Sequence, residues 1–151
     1  MKFYETLDKY QNKDVDIYVD MDGVIAEYDI GNFDYNTIRP LKTNIKRIAE
    51  LIKNYNIKIL TICKNNKIIE EKIAWLKRNI PFYNLENVIF ISKEEDKNKD
   101  LSSKELKSEF LKNNINSNNI NIVIDDDNEI IKYLIKNNSD LIVFQVSSWI
   151  D

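Results

Sequence analysis

Histidine is absent from this chain. That one absence removes histidine nucleophiles, histidine general bases and imidazole metal ligands together, so any chemistry must run on carboxylates, lysines and hydroxyls. A single cysteine, Cys63, cannot close an internal disulfide, which agrees with a reducing compartment. Glycine is nearly missing as well, with Gly23 and Gly31 the two in 151 residues. No long apolar run stands at the amino end: Met1 to Lys13 alternates charge with aromatics and lacks the stretch that a secretory signal or a membrane span needs. The expectation is a cytoplasmic protein with no membrane partner. Positive charge is not in excess either; a net charge of −3 gives no general pull toward nucleic acid, although a local basic groove stays open.

What is present is the composition of a globular protein, 43% hydrophobic and 31% charged, at a length that suits one domain over 1–151. Asn, Ile and Lys are abundant throughout, so Asn65-Asn66 and Asn116-Ser117-Asn118-Asn119 read as compositional bias. The pattern predicts a short amphipathic helix over 3–12 and a strand over 15–20. A loop follows through Asp29, Gly31, Asn32 and Asp34, which Arg39-Pro40 ends. Leu41, Ile45, Ile48, Ala49, Leu51 and Ile52 recur at helical spacing up to Tyr55. Ile57 to Ile62 reads as a second strand and 66–79 as a helix with Ile69, Ile73, Ala74, Trp75 and Leu76 mostly inward, closed by Pro81. Val88 to Ile91 is a third strand. Ser102 or Ser103 is placed to cap a helix running to about Asn114. Asn121 to Ile124, a helix over 128–137 and a last strand from Leu141 to Gln145 complete the chain. Strands alternating with helices imply parallel strands joined by right-handed crossovers, hence a three-layer α/β sandwich with about five parallel strands.

Two of those strands run straight into acids. Val15 to Val19 ends in Asp20-Met21-Asp22-Gly23, and the strand more than a hundred residues later ends in Asp125-Asp126-Asp127. In a parallel sheet both carboxyl ends lie on one edge, so Asp20, Asp22, Asp125 and Asp126 can converge there. Clustered like charges are costly unless a cation or shared protons offset them, and all-oxygen donors suit a hard cation such as Mg²⁺. Turn preference alone would also put Asp at a strand end, but two such clusters on one edge ask for more than that.

The run Asp20-Met21-Asp22-Gly23-Val24 resembles the first motif of the haloacid dehalogenase (HAD) superfamily, in its phosphatase branch because of the second Asp. Thr61 resembles the second motif and Ile124-Asp125-Asp126-Asp127 the fourth. Ile17 to Tyr28, with Glu71 to Leu76 and Ile89 to Ile91, is most similar to the 5′-nucleotidase (deoxyribonucleotidase) group and its small bacterial and phage relatives. The resemblance implies a HAD-like, Rossmannoid fold and a Mg²⁺-dependent phosphomonoester hydrolase working through an aspartyl phosphate. Asp20 would be the nucleophile and Asp22 the general acid and base. Mg²⁺ would sit on Asp20, the backbone carbonyl of Asp22, Asp125 and Asp126. Thr61 and the amides near Gly23 would hold the phosphoryl oxygens. The third motif is a lysine, and Lys93, Lys97, Lys99, Lys104 and Lys107 all lie between the third and fourth strands. Asp96-Lys97 fits the family's acid-lysine pair best, with Lys104 and Lys93 behind it. Asp127 is expected to cap the next helix.

Only 17 residues separate Gly23 from Leu41, too few for a cap domain, and Ser92 to Asn119 has room for little more than a loop and a helix. The site is therefore expected to be open, to accept a phosphorylated small molecule, a nucleotide or a nucleic-acid end, and to leave room for an oligomeric partner as lid. Tyr28, Phe33 and Tyr35 are candidates for base stacking, more simply for anchoring the loop. Arg39 could meet a second phosphate, and Trp149 is expected to pack. A receiver domain would need Asp125-Asp126-Asp127 near its start, whereas 24 residues follow Asp127. A catalytically silent HAD-like scaffold is the other alternative, opposed by the intact Asp20, Asp22, Thr61 and Asp125.

Overall fold

The computed structural model describes residues 2–149; Met1, Ile150 and Asp151, the ends of the domain expected over 1–151, lie outside the described residues. Five strands, β1 (Val15–Val19), β2 (Asn56–Cys63), β3 (Val88–Ser92), β4 (Ile120–Asp125) and β5 (Leu141–Gln145), form one sheet in the order β3-β2-β1-β4-β5. Every pairing is parallel. The helices are α1 (Phe3–Lys9), α2 (Lys42–Leu51), α3 (Asn66–Asn79), α4 (Ser103–Asn114) and α5 (Asn128–Asn137).

Alternation along the strands sorts the helices into two layers. Ile17, Val19, Ile57, Ile59, Ile122 and Ile124 point to the face covered by α1, α2 and α3 through Leu7, Ile45, Ile48, Trp75 and Leu76. Tyr18, Leu60 and Val123 point to the other, covered by α4 and α5 through Leu111, Ile130 and Leu134. Burial on both faces is what a parallel sheet requires, and it explains why β1 is buried at all five positions. Trp149 packs edge-to-face on Phe3, as does Phe144, which fixes α1 and the chain's last turn against the sheet.

Each helix start has a local cause. Asn65 caps α3 by accepting from the Ile68 amide, and Ser102 and Glu105 form a capping box at α4. Asp127 caps α5 through the Glu129 and Ile130 amides, the structural role its position implied. The segment between β1 and α2 holds no helix and no strand beyond isolated bridges at Asp22, Ala26 and Pro40.

Candidate active site

The strand order reverses direction at β1, and the crevice beside such a point is where open α/β sheets bind ligands. Val19 is level with Ile124, and the Asp20 amide donates to the Ile124 carbonyl at 3.0 Å, so Asp20 and Asp125 emerge side by side. Asp126 follows directly. One carboxylate oxygen from each of Asp20, Asp125 and Asp126 lies within 4.8 Å of the others. The Asp22 carboxylate is not in that group; its Oδ1 accepts from Tyr35 and its Oδ2 from Lys72.

Lys107 answers the cluster from α4. Its ammonium is 3.0 Å from Asp20 Oδ1 and donates to Asp125 Oδ2 at 2.6 Å, with both partners nearly or fully buried. Burial alone would lower this lysine; the Asp20 and Asp125 charges outweigh it and hold the ammonium above its usual range. Three carboxylates against one ammonium leave an excess of negative charge. Burial pushes the Asp20 carboxyl up to about 8, with Asp125 and Asp22 adding to the rise and Lys107 opposing it. Asp126 is raised too, by burial first and then by Asp125. Carboxyls lifted in this way, on hard oxygen donors within reach of one another, are the donor set that a divalent cation such as Mg²⁺ fits.

Lys97, favoured for the third motif, is not brought here. It lies in a short 3₁₀ turn, Asp96–Asn98, with its side chain 79% exposed and its ammonium 3.6 Å from Glu95. It borders a groove of about 430 Å³ beside β3 and α4 that contains none of the acids. Lys104 lies over the Tyr133 ring. The signal that separates Lys107 from Lys104 is its face: Leu106, Lys107, Ser108 and Leu111 are the buried positions of α4, so Lys107 turns back to the sheet.

A second lysine at the site lies within the Glu71 to Leu76 stretch, where the sequence marks it for no catalytic role. Lys72, on α3, stands in the buried stripe with Trp75 and Leu76, while Ala74, expected inward, is exposed. Its ammonium donates to Asp22 Oδ2 at 3.0 Å, to Thr61 Oγ1 at 2.6 Å and to the Ile62 carbonyl at 2.9 Å. Tyr35, one of the stacking candidates, is buried with its hydroxyl donating to Asp22 Oδ1 at 2.7 Å; burial and the Asp22 charge hold that phenol well above its usual range. Tyr28 and Phe33 remain 59% and 69% exposed. Tyr28 borders the cleft of about 380 Å³ that Asp20, Asp22, Lys107, Asp126 and Ser103 line. Arg39 is exposed and lies elsewhere, beside Glu27 and Asp29. Cys63 is buried, and burial raises its thiol above the usual range while Lys72 opposes the rise.

Gly23 holds the motif in shape. Its φ of +83° is a left-handed conformation, and a Cβ built there would fall 1.9 Å from Asp126 Oδ2. Gly31, at φ +107°, has open space around it. Both Gly23→Ala and Gly31→Ala therefore meet the backbone penalty of about 1–2 kcal/mol, but only Gly23→Ala must displace Asp126. Both variants are expected to melt lower by circular dichroism, Gly23→Ala by more because Asp126 must also move.

No protein-family model matches the sequence, and no curated protein matches it. Solved structures do match. The structure of a Pnkp1/Rnl/Hen1 complex superposes at a TM-score of 0.65 with 15% identity, covering 87% of this chain and 45% of that one. A second, of the Pnkp1/Rnl/Hen1 RNA repair complex, gives 0.62 at 16% identity, over 89% and 42%. The N-terminal part of BF1531 from Bacteroides fragilis, which contains a phosphatase domain complexed with Mg, gives 0.56 at 18% identity, over 89% and 36%. The chain shares with these structures an α/β fold built on a five-stranded parallel sheet. It spans less than half the length of those solved chains. Among the described residues no helix is long and apolar enough to cross a membrane.

Proposed function

We propose that this protein is a Mg²⁺-dependent phosphomonoester hydrolase that works through a phosphoryl group carried on Asp20. The observation that carries the reading is the convergence of Asp20, Asp125 and Asp126 around Lys107 at the carboxyl edge of β1 and β4. The fold, shared with a phosphatase domain that binds Mg, supports it.

Asp20, Asp125 and Asp126 would hold the cation, with the Asp22 backbone carbonyl beside them; when bound it neutralises charge on the phosphoryl oxygens and on the acids. Asp20 attacks phosphorus in line, forming an acyl phosphate bond as the bond to the leaving oxygen breaks. Asp22 gives its proton to that oxygen. Water then attacks phosphorus, Asp22 takes the water's proton, phosphate leaves and the Asp20 carboxylate is restored. Lys107 offsets charge at Asp20 throughout and the Thr61 hydroxyl would meet a phosphoryl oxygen, whereas the Gly23, Val24, Ile25 and Ala26 amides, expected to do the same, already donate to the Ala26 and Met21 carbonyls.

The open cleft, with Tyr28 exposed at its rim, favours a phosphorylated nucleic-acid end or another large phosphoester over a small enclosed substrate. The likeness to a chain from an RNA repair complex points the same way, whereas 5′-nucleotidase specificity rests on motif resemblance alone. Hydrolysis of an aryl phosphate should require Mg²⁺ and stop with chelator. A panel of mononucleotides and phosphorylated oligonucleotide ends should then favour the ends. Metal binding with no turnover of any phosphoester would favour the silent scaffold instead.

A further inference from the structure

The geometry points to Lys72 and Tyr35 as positioning residues that clamp the Asp22 carboxylate and aim the Thr61 hydroxyl, an inference that rests on the phosphatase reading. An ammonium has three donors and no acceptor, and Lys72 places one on Asp22, one on Thr61 and one on the Ile62 carbonyl. None is left for a phosphoryl oxygen, and the side chain is 1% exposed. Lys72 therefore acts through its partners and does not touch substrate.

Each partner is oriented by what it receives. Thr61 accepts from Lys72, so its own hydroxyl hydrogen must point to another acceptor. Asp22 accepts from Tyr35 on Oδ1 and from Lys72 on Oδ2, which fixes the plane of the carboxylate from both sides. A carboxylate oxygen offers a second lone-pair site, and the Asp22 side chain keeps 30% of its surface on the cleft, so the clamp aims it without sealing it. The Tyr35 ring also lies 5.7 Å from the Lys72 ammonium, which ties the two halves of the clamp together. A buried lysine with this full complement of acceptors has little packing reason to be there, since an apolar side chain would fill the stripe of α3 without needing them.

Leaving groups separate this role from a merely structural one. An alkyl phosphate needs its departing oxygen protonated, whereas 4-nitrophenyl phosphate leaves well without help. Tyr35→Phe, which keeps the ring, should lower kcat on an alkyl phosphate roughly tenfold or more beyond its effect on 4-nitrophenyl phosphate, at unchanged thermal stability. Lys72→Met should show the same excess and also raise KM for both substrates, because Thr61 is released too. Equal losses on the two substrates, or none, would overturn the clamp while wild-type turnover upheld the phosphatase reading. If Lys72→Met does not fold, Tyr35→Phe decides alone. Absence of turnover by the wild type on both substrates would overturn the phosphatase reading and the clamp together.

Discussion

Lys107→Met is expected to lower kcat/KM on an aryl phosphate by roughly 10²–10³-fold, whereas Lys97→Met should leave it within about twofold. The Lys107 ammonium lies against Asp20 and Asp125 in a buried setting where charge interactions are strong, so its removal leaves the crowded acids without their protein counterion. Lys97 stands in solvent beside Glu95, where an ion pair contributes little. Steady-state kinetics of the two variants side by side, with saturating Mg²⁺, makes the comparison. Loss in Lys97→Met with retention in Lys107→Met would return the third motif to the exposed turn.

Asp20→Asn is expected to remove turnover by on the order of 10⁴-fold or more, since an amide offers no nucleophilic oxygen of comparable strength. Its effect on stability should run the other way. Burial and neighbouring acids hold the Asp20 carboxyl up to about 8, so near neutral pH in the absence of divalent cation the fold favours an uncharged group at this position. Asn supplies that group at nearly the same volume. Melting of Asp20→Asn in chelator should therefore occur at or above the wild-type temperature, the pattern of a site that trades stability for chemistry. A variant that was inactive because it unfolded would melt below the wild type instead.

The architecture is legible in the sequence because each level of it agrees with the next. The strands β1, β2 and β4 are short and mostly apolar, as strands buried on both faces are, and Ser102 and Asp127 cap the helices that follow them, whereas Asn65, read as compositional bias, turns out to cap α3. Asp20 and Asp125 can be paired from the residue order alone, because parallel strands bring their carboxyl ends to one edge. The lysines cannot be read in the same way. Motif spacing ranks residues along the chain, while the choice between Lys97 and Lys107 depends on which side of α4 faces the sheet. Lys72 is hidden for a related reason: α3 is turned so that Lys72 shares the buried stripe with Trp75 and Leu76 while Ala74 faces out. Tyr35 looks like a loop aromatic, yet its hydroxyl is the part that matters, and only the fold of the loop back over Asp22 shows it.

The most direct measurement uses Asp22→Asn with 4-nitrophenyl phosphate and Mg²⁺, quenched in acid within the first turnover and examined by peptide mass spectrometry. Without the Asp22 base, the second step should stall while the good leaving group still departs. A burst of nitrophenol equivalent to the enzyme, with one phosphoryl group on the peptide containing Asp20, is the expected result. Steady turnover with no phosphorylated peptide, or a phosphoryl group on any other residue, would contradict the account.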